Sequence, residues 1–191
     1  MAAKRLPRYL IYGPLISLGL LLLCAIIRPD SLSVDQGLSY FGIYKLTVVP
    51  YGIALVIYAF CLWRASELGE HQAWYQRVLG RSLKLMALLV VGLLATPDTI
   101  LETWHMIFGS SLFVLQLLMS LLILKWLASN LINFGLFILE LSCGIAAWYY
   151  LPLSQGLLLQ TQVIFQLAFV VLLLRTLVIT SRKEINSKPL V

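Results

Sequence analysis

The chain has 191 residues, 61% of them hydrophobic and 12% charged, with a net charge of +6 and a mean hydropathy of +0.93. A soluble domain carries about 25% charged residues, and no soluble fold of this size has the interior to hide so much apolar surface. These values exclude a water-soluble fold and leave no room for a separate soluble domain.

A bilayer core of about 30 Å takes helices of roughly 20 apolar residues. Membrane β-strands alternate apolar and polar residues, and runs such as Leu18 to Leu23 do not alternate. Backbone groups in lipid must be satisfied within the protein, so helices are the solution that remains. The pattern predicts an all-α integral membrane bundle of six transmembrane helices in a single domain, residues 1–191.

The first helix is expected over residues 9–27, ending before Arg28-Pro29-Asp30. Its apolar run is too long for the h-region of a signal peptide and lacks a small-x-small cleavage site, so it reads as a retained span. The second covers 46–63. The third, over 82–95, is short and extends back toward Val78 if Arg81 and Lys84 snorkel. The fourth covers 104–124, after Thr96-Pro97-Asp98. The fifth covers 129–150 and the sixth 156–179. Pro29, Pro97 and Pro152 mark helix exits, where a missing N–H does least harm. Cys24, Cys61 and Cys143 are isolated, which argues against a disulfide framework or a redox motif.

Of the 14 basic residues, all but Arg28 and Lys45 fall on one side of these spans. The positive-inside rule then places the N- and C-termini in the cytoplasm of a cell-membrane protein. Asp30, Asp35, Asp98 and Glu102 fall outside. The positive charge is thereby assigned to orientation and to anionic inner-leaflet lipid. Membrane lipids are the expected partners, a second copy or another membrane protein is left open, and nucleic acid is not needed.

Three groups of residues are left over by topology. Asp98, Glu102 and His105 share one face if the segment is helical, with spacings of i, i+4 and i, i+3. A carboxylate beside an imidazole serves as an acid/base pair or in a metal site. The competing reading makes Asp98 an N-cap and Glu102 a first-turn acid favoured by the helix dipole.

The second is Glu140, near the centre of the fifth helix. A charge there costs about 3 kcal/mol, so it should face the bundle, with Gln116 and Gln162 or Gln166 as candidate partners. It is either a proton- or cation-linked site or a hydrogen-bonded acid that joins helices. Arg175 is explained by snorkelling to the inner surface.

The third is the outer segment from Ser31 to Gly42, including Ser39 and Tyr40. It is either an interfacial stretch on the outer leaflet or a lid over the bundle mouth.

No histidine follows His105 and there are 2 in all, on opposite sides, so rhomboid-type proteolysis, three-histidine zinc hydrolysis and bis-histidine haem ligation lack their residues. No phosphate-binding or dinucleotide-binding motif is present. Neither a cofactor nor a metal is expected.

Pro29-x-x-Leu32-Ser33, Leu38-Ser-Tyr-Phe-Gly42, Thr96-Pro97-Asp98 and His105, within six spans, form a pattern. It resembles an uncharacterised prokaryotic six-span family distantly similar to the eukaryotic DRAM (damage-regulated autophagy modulator) and Sfk-type membrane proteins. The resemblance covers nearly the whole chain. It implies a six-helix bundle with Ser39, Gly42, Asp98 and His105 near one outer pocket, and implies no catalytic activity. The chain departs from the pattern in Tyr40-Phe41 before Gly42 and in its compact connection after the fourth helix.

The expected function is that of a multi-pass membrane protein without a catalytic motif, binding a lipid or hydrophobic ligand near its outer face. Two alternatives stand beside it. One is a small proton- or cation-linked transporter or channel using Glu140. The other is an enzyme acting on lipid head groups through Asp98, Glu102 and His105, with Asp30 or Asp35 in reach.

Overall fold

A computed structural model describes residues 6–32, 37–69, 74–126, 129–150 and 157–186, and no strand occurs among them. Six long helices follow one another: α1 (Leu6–Ile27), α2 (Val48–Gly69), α3 (Trp74–Ala95), α4 (Asp98–Trp126), α5 (Leu131–Tyr150) and α6 (Leu158–Asn186). Each is long and apolar enough to cross a membrane. Leu15, Leu22 and Ile26 on α1 are 60%, 63% and 67% exposed. Apolar side chains left outside on such a scale fit a protein whose solvent is lipid.

Two helices start earlier than hydropathy predicts. α3 begins at Trp74 rather than at residue 82. Its Leu79, Leu83, Met86 and Val90 form one inward stripe, while Arg77 and Arg81 are exposed. Lys84 lays its Nζ over the Trp63 ring, 4.7 Å from the centroid. Averaging the two faces hides the helix from a hydropathy window. α4 begins at Asp98 rather than at residue 104, but its backbone leaves helical geometry at Leu101 (φ −128°, ψ 45°). The N–H groups of Ile100 and Leu101 both donate to the Pro97 carbonyl, at 3.0 and 2.9 Å. This turn precedes the regular helix that runs on from Glu102.

Consecutive helices pack antiparallel. α1 lies on α2, α2 on α3, α5 on α6 and α3 on α4, while α4 touches α5 and α6 lightly and α1 touches α6 lightly. The six helices thus form a ring with thin seams beside α4 and between α6 and α1. We call upper the half nearest the α1–α2 and α3–α4 connections. The lower half is densely filled by a cluster that includes Leu62, Met86, Met119, Ile123, Phe169 and Leu172. The upper half is not filled in this way.

The upper end is partly covered by two short 3-10 turns, Pro29–Leu32 and Leu38–Gly42. Tyr40 and Phe41 are buried in a cluster with Cys24, Tyr51 and Leu159, whereas Ile43 is exposed. The Thr47 hydroxyl, also buried, donates to the Phe41 carbonyl at 2.8 Å. The described part of this segment packs against α2 and α6 through its second turn.

Candidate functional site

Because the packed cluster stops half-way up the bundle, the upper half holds a half-open chamber of about 640 Å³, whose lining includes the exposed Val114, Ile145 and Trp148. Its walls are mainly apolar and aromatic, among them Leu18, Leu55, Phe113 and Phe165. Asp98, Glu102 and His105 line its upper end together with Ser39 and Gln162. Deeper in, Ser17, Tyr58 and Gln166 are its polar groups.

Asp98, Glu102 and His105 therefore share one chamber although the helical register between them breaks at Leu101. His105 Nδ1 is 2.7 Å from the Thr96 carbonyl oxygen. A carbonyl only accepts, so Nδ1 carries the proton in this contact and Nε2 faces elsewhere. Thr96 is itself fixed, its hydroxyl donating to the Gly92 carbonyl at 2.7 Å. Among the described residues neither the Asp98 nor the Glu102 carboxylate forms a hydrogen bond or ion pair, so Asp98 caps no N–H there. The three groups line the same chamber without forming a hydrogen-bonded acid–histidine pair.

Asp30 is engaged in a separate cluster. Arg28 donates to it through Nε at 2.9 Å and through a terminal nitrogen at 2.6 Å. The Tyr40 hydroxyl has one proton and two acceptors, the Tyr44 hydroxyl at 2.9 Å and Asp30 at 3.1 Å. It accepts from Arg28 at 3.2 Å, whose guanidinium also lies 3.9 Å from the centre of the Tyr44 ring. Arg28, through its hydrogen bonds, holds the Asp30 carboxyl below the usual range. Hydrogen bonding to Tyr44, loss of water and the Asp30 acceptor push the Tyr40 phenol up to about 12. Asp30 and Tyr40 thereby anchor the 3-10 turns. Asp35 lies outside the described residues.

The second anchor was not legible in the sequence. Gln162 Oε1 accepts from the Leu38 N–H at 2.8 Å. A Cβ at Gly37 would stand 2.3 Å from that same oxygen. That oxygen ends a flexible side chain, so a Cβ at Gly37 would move Gln162 aside and cost its bond to Leu38. Gly42 meets the Tyr51 ring in a similar but looser way, at 3.1 Å.

The mid-helix polar residues pair differently from expectation. Gln116 and Gln166 exchange two amide hydrogen bonds, at 2.8 and 3.0 Å, tying α4 to α6. Glu140 does not join them. It is fully buried on α5 and accepts from the Ser120 hydroxyl of α4 at 2.6 Å. Its other oxygen, Oε1, has no hydrogen-bond partner among the described residues. Glu140 is also absent from the chamber wall, whose α5 contributions include Leu141 and Gly144. Arg175 donates to Asn133 at 3.1 Å within the α5–α6 pair, beyond the simple snorkelling expected of it. Sequence reading missed Ser120 because a serine in a span carries no signal of its own. It missed Tyr58 for the same reason. The Tyr58 hydroxyl is buried beside Gln116 without hydrogen-bond geometry to it or to any other described group.

Among the described residues no three His, Cys, Asp or Glu side chains converge as metal ligands do. Compared with protein-family models, curated proteins and solved structures, the chain matches none, so the DRAM/Sfk resemblance rests on its own short motifs.

Proposed function

We propose that this is a multi-pass protein of the cytoplasmic membrane, with both termini in the cytoplasm, that binds a lipid or other apolar molecule in its upper chamber. The chamber carries this proposal: about 640 Å³ of mostly apolar space opening at a polar mouth. Sites for small amphiphiles run to about 300–1,000 Å³, apolar with a few placed polar groups. The sorting of basic residues favours the upper end as the outer one. A ligand then enters from the outer leaflet or through a seam of the ring.

A carrier built on Glu140 has less behind it. That carboxyl lies outside the chamber wall and bonds to one serine. Enzymatic use of Asp98, Glu102 and His105 has less behind it, since among the described residues no hydrogen bond joins His105 to either carboxylate and Asp30 is held by Arg28.

The test is photo-crosslinking in nanodiscs with a diazirine-bearing alkyl probe. Label is expected on peptides that line the chamber, and Ser110→Trp, which intrudes on it from α4, should reduce that label. Gly135→Trp, at a position with nothing within 4 Å, is the control and should not. Labelling confined to outward-facing residues, or unchanged in Ser110→Trp, would sink the proposal.

A further inference from the structure

The chamber's ionised groups are of one sign. Asp98 and Glu102 bring two carboxylates to its mouth, and no Lys or Arg lines it among the described residues. Arg28, at the same end of the bundle, is committed to Asp30 by two hydrogen bonds. Apolar walls sharpen the effect, because fields of fixed charges reach further where water is scarce. Such a mouth attracts a cation and repels phosphate, sulfate or carboxylate heads.

The third group there, His105, donates from Nδ1 to Thr96. The two carboxylates make a site of acceptors. An alkylammonium is its complement, with three N–H donors and no acceptor, and charge-assisted bonds to carboxylates are the stronger kind.

Depth fixes the rest of the molecule. Glu102 at the mouth and Gln116 beneath the chamber are separated along α4 by about 21 Å at 1.5 Å per residue. One leaflet of hydrocarbon is about 15 Å, half of a core of about 30 Å. An alkyl chain of one leaflet's length fits along that depth. At the lower end the Tyr58 hydroxyl is buried and unpartnered. The protein's own groups do not complete the chamber there, and the missing partner comes from the occupant or from water sealed in with it.

We infer that the chamber selects a cationic amphiphile, an amine head held by Asp98 and Glu102 beside His105 with its chain directed toward Tyr58 and Gln166. This rests on the chamber being a ligand site, as proposed above, and adds the class of ligand.

Three probes of equal chain length separate the two claims: hexadecylamine, hexadecanol and palmitate. Each is titrated in tritiated form against the full-length protein in nanodiscs of zwitterionic phospholipid, with empty nanodiscs subtracted. Saturable binding of the amine about tenfold tighter than the alcohol, with palmitate weakest, is expected. The Asp98→Asn/Glu102→Gln variant should lose the preference for the amine and keep its affinity for the alcohol. Should that variant fail to fold, salt decides: added salt should erode the amine's advantage in the wild-type protein. Palmitate or alcohol binding as tightly as the amine overturns the head-group assignment while leaving the ligand site standing. So does a preference indifferent to both the variant and salt. Saturable binding of none of the three overturns the proposed function itself.

Discussion

Gly13→Ala should be the most damaging single methyl group that can be added to α1. A Cβ at this position would stand 2.5 Å from Cys61 Cβ and 3.1 Å from its sulfur, with the Cys61 Cα at 4.0 Å. Ordinary contact begins at 3.4 Å, so α1 and α2 must part by about 0.9 Å at this crossing. Cys61 Cβ is fixed to its backbone and cannot swing aside, unlike the far end of a long side chain. Overpacking of this kind costs about 1–3 kcal/mol. In a bilayer, where close helix approach replaces hydrophobic drive, little else offsets the loss. The assay is reversible unfolding in mixed micelles by increasing SDS fraction, followed by far-UV circular dichroism. Gly19→Ala is the internal standard, because nothing lies within 4 Å of its added Cβ. It should match wild type or exceed it slightly, since alanine favours helix by about 1 kcal/mol over glycine. Adding Cys61→Gly to Gly13→Ala should restore most of the loss, the small residue having changed sides. A Gly13→Ala protein as stable as Gly19→Ala, or unaffected by the second change, would refute backbone-close packing of α1 on α2.

Two further outcomes follow from polar groups. Ser120→Ala leaves both oxygens of the buried Glu140 without a described partner. It should cost about 1–3 kcal/mol, and Ser120→Ala/Glu140→Leu should return near to wild type because both ends of the bond are then apolar; the same SDS titration reads both, and a harmless Ser120→Ala would deny the contact. The Tyr40 phenol, raised to about 12 from an ordinary 10, stabilises the folded 3-10 turns below pH about 10, and this contribution fades as pH rises toward 12. Tyrosinate absorbance of wild type minus Tyr40→Phe should titrate near 12, and a midpoint near 10 would show that the cluster does not form. Asp30, shifted down, acts in the opposite sense: its contribution is present above the ordinary carboxylate value and lost as pH falls through the lowered one.

Hydropathy carried the helix count because burial in lipid is a property of composition, summed over a span. It located the ends of α3 and α4 poorly, since those ends depend on two-faced or kinked turns. Arg77 and Arg81 dilute a window that still contains the stripe of Leu79, Leu83 and Met86. At Pro97-Asp98 the first turn is held by the Pro97 carbonyl and departs from helix only at Leu101. Polar pairing was less legible still. A sequence gives each residue's position along its helix but leaves the rotation of one helix against the next undetermined. Glu140 could therefore be matched to glutamines of similar depth, and the packing instead sets it against Ser120 and leaves Gln116 to Gln166. The gathering of Asp98, Glu102 and His105 on one chamber was open to spacing arguments, even though the helix that spacing assumes is interrupted.

The division of the bundle into a packed lower half and a hollow upper half links these residues physically. Leu62, Met86, Met119, Phe169 and Leu172 close the lower half. A path for ions through the ring would have to cross that cluster, where Glu140 offers one carboxyl bonded to one serine. Polar groups in the upper half instead ring an apolar space and sit at its ends. Asp98 is half-buried at that mouth and Glu102 exposed. The 3-10 turns above them are held in place by Gln162 at Leu38 and by Arg28 and Asp30 at Tyr40, independently of Asp98 and Glu102. The cover and the two carboxylates therefore rest on separate sets of contacts, so Asp98→Asn/Glu102→Gln should leave the anchoring of the 3-10 turns intact.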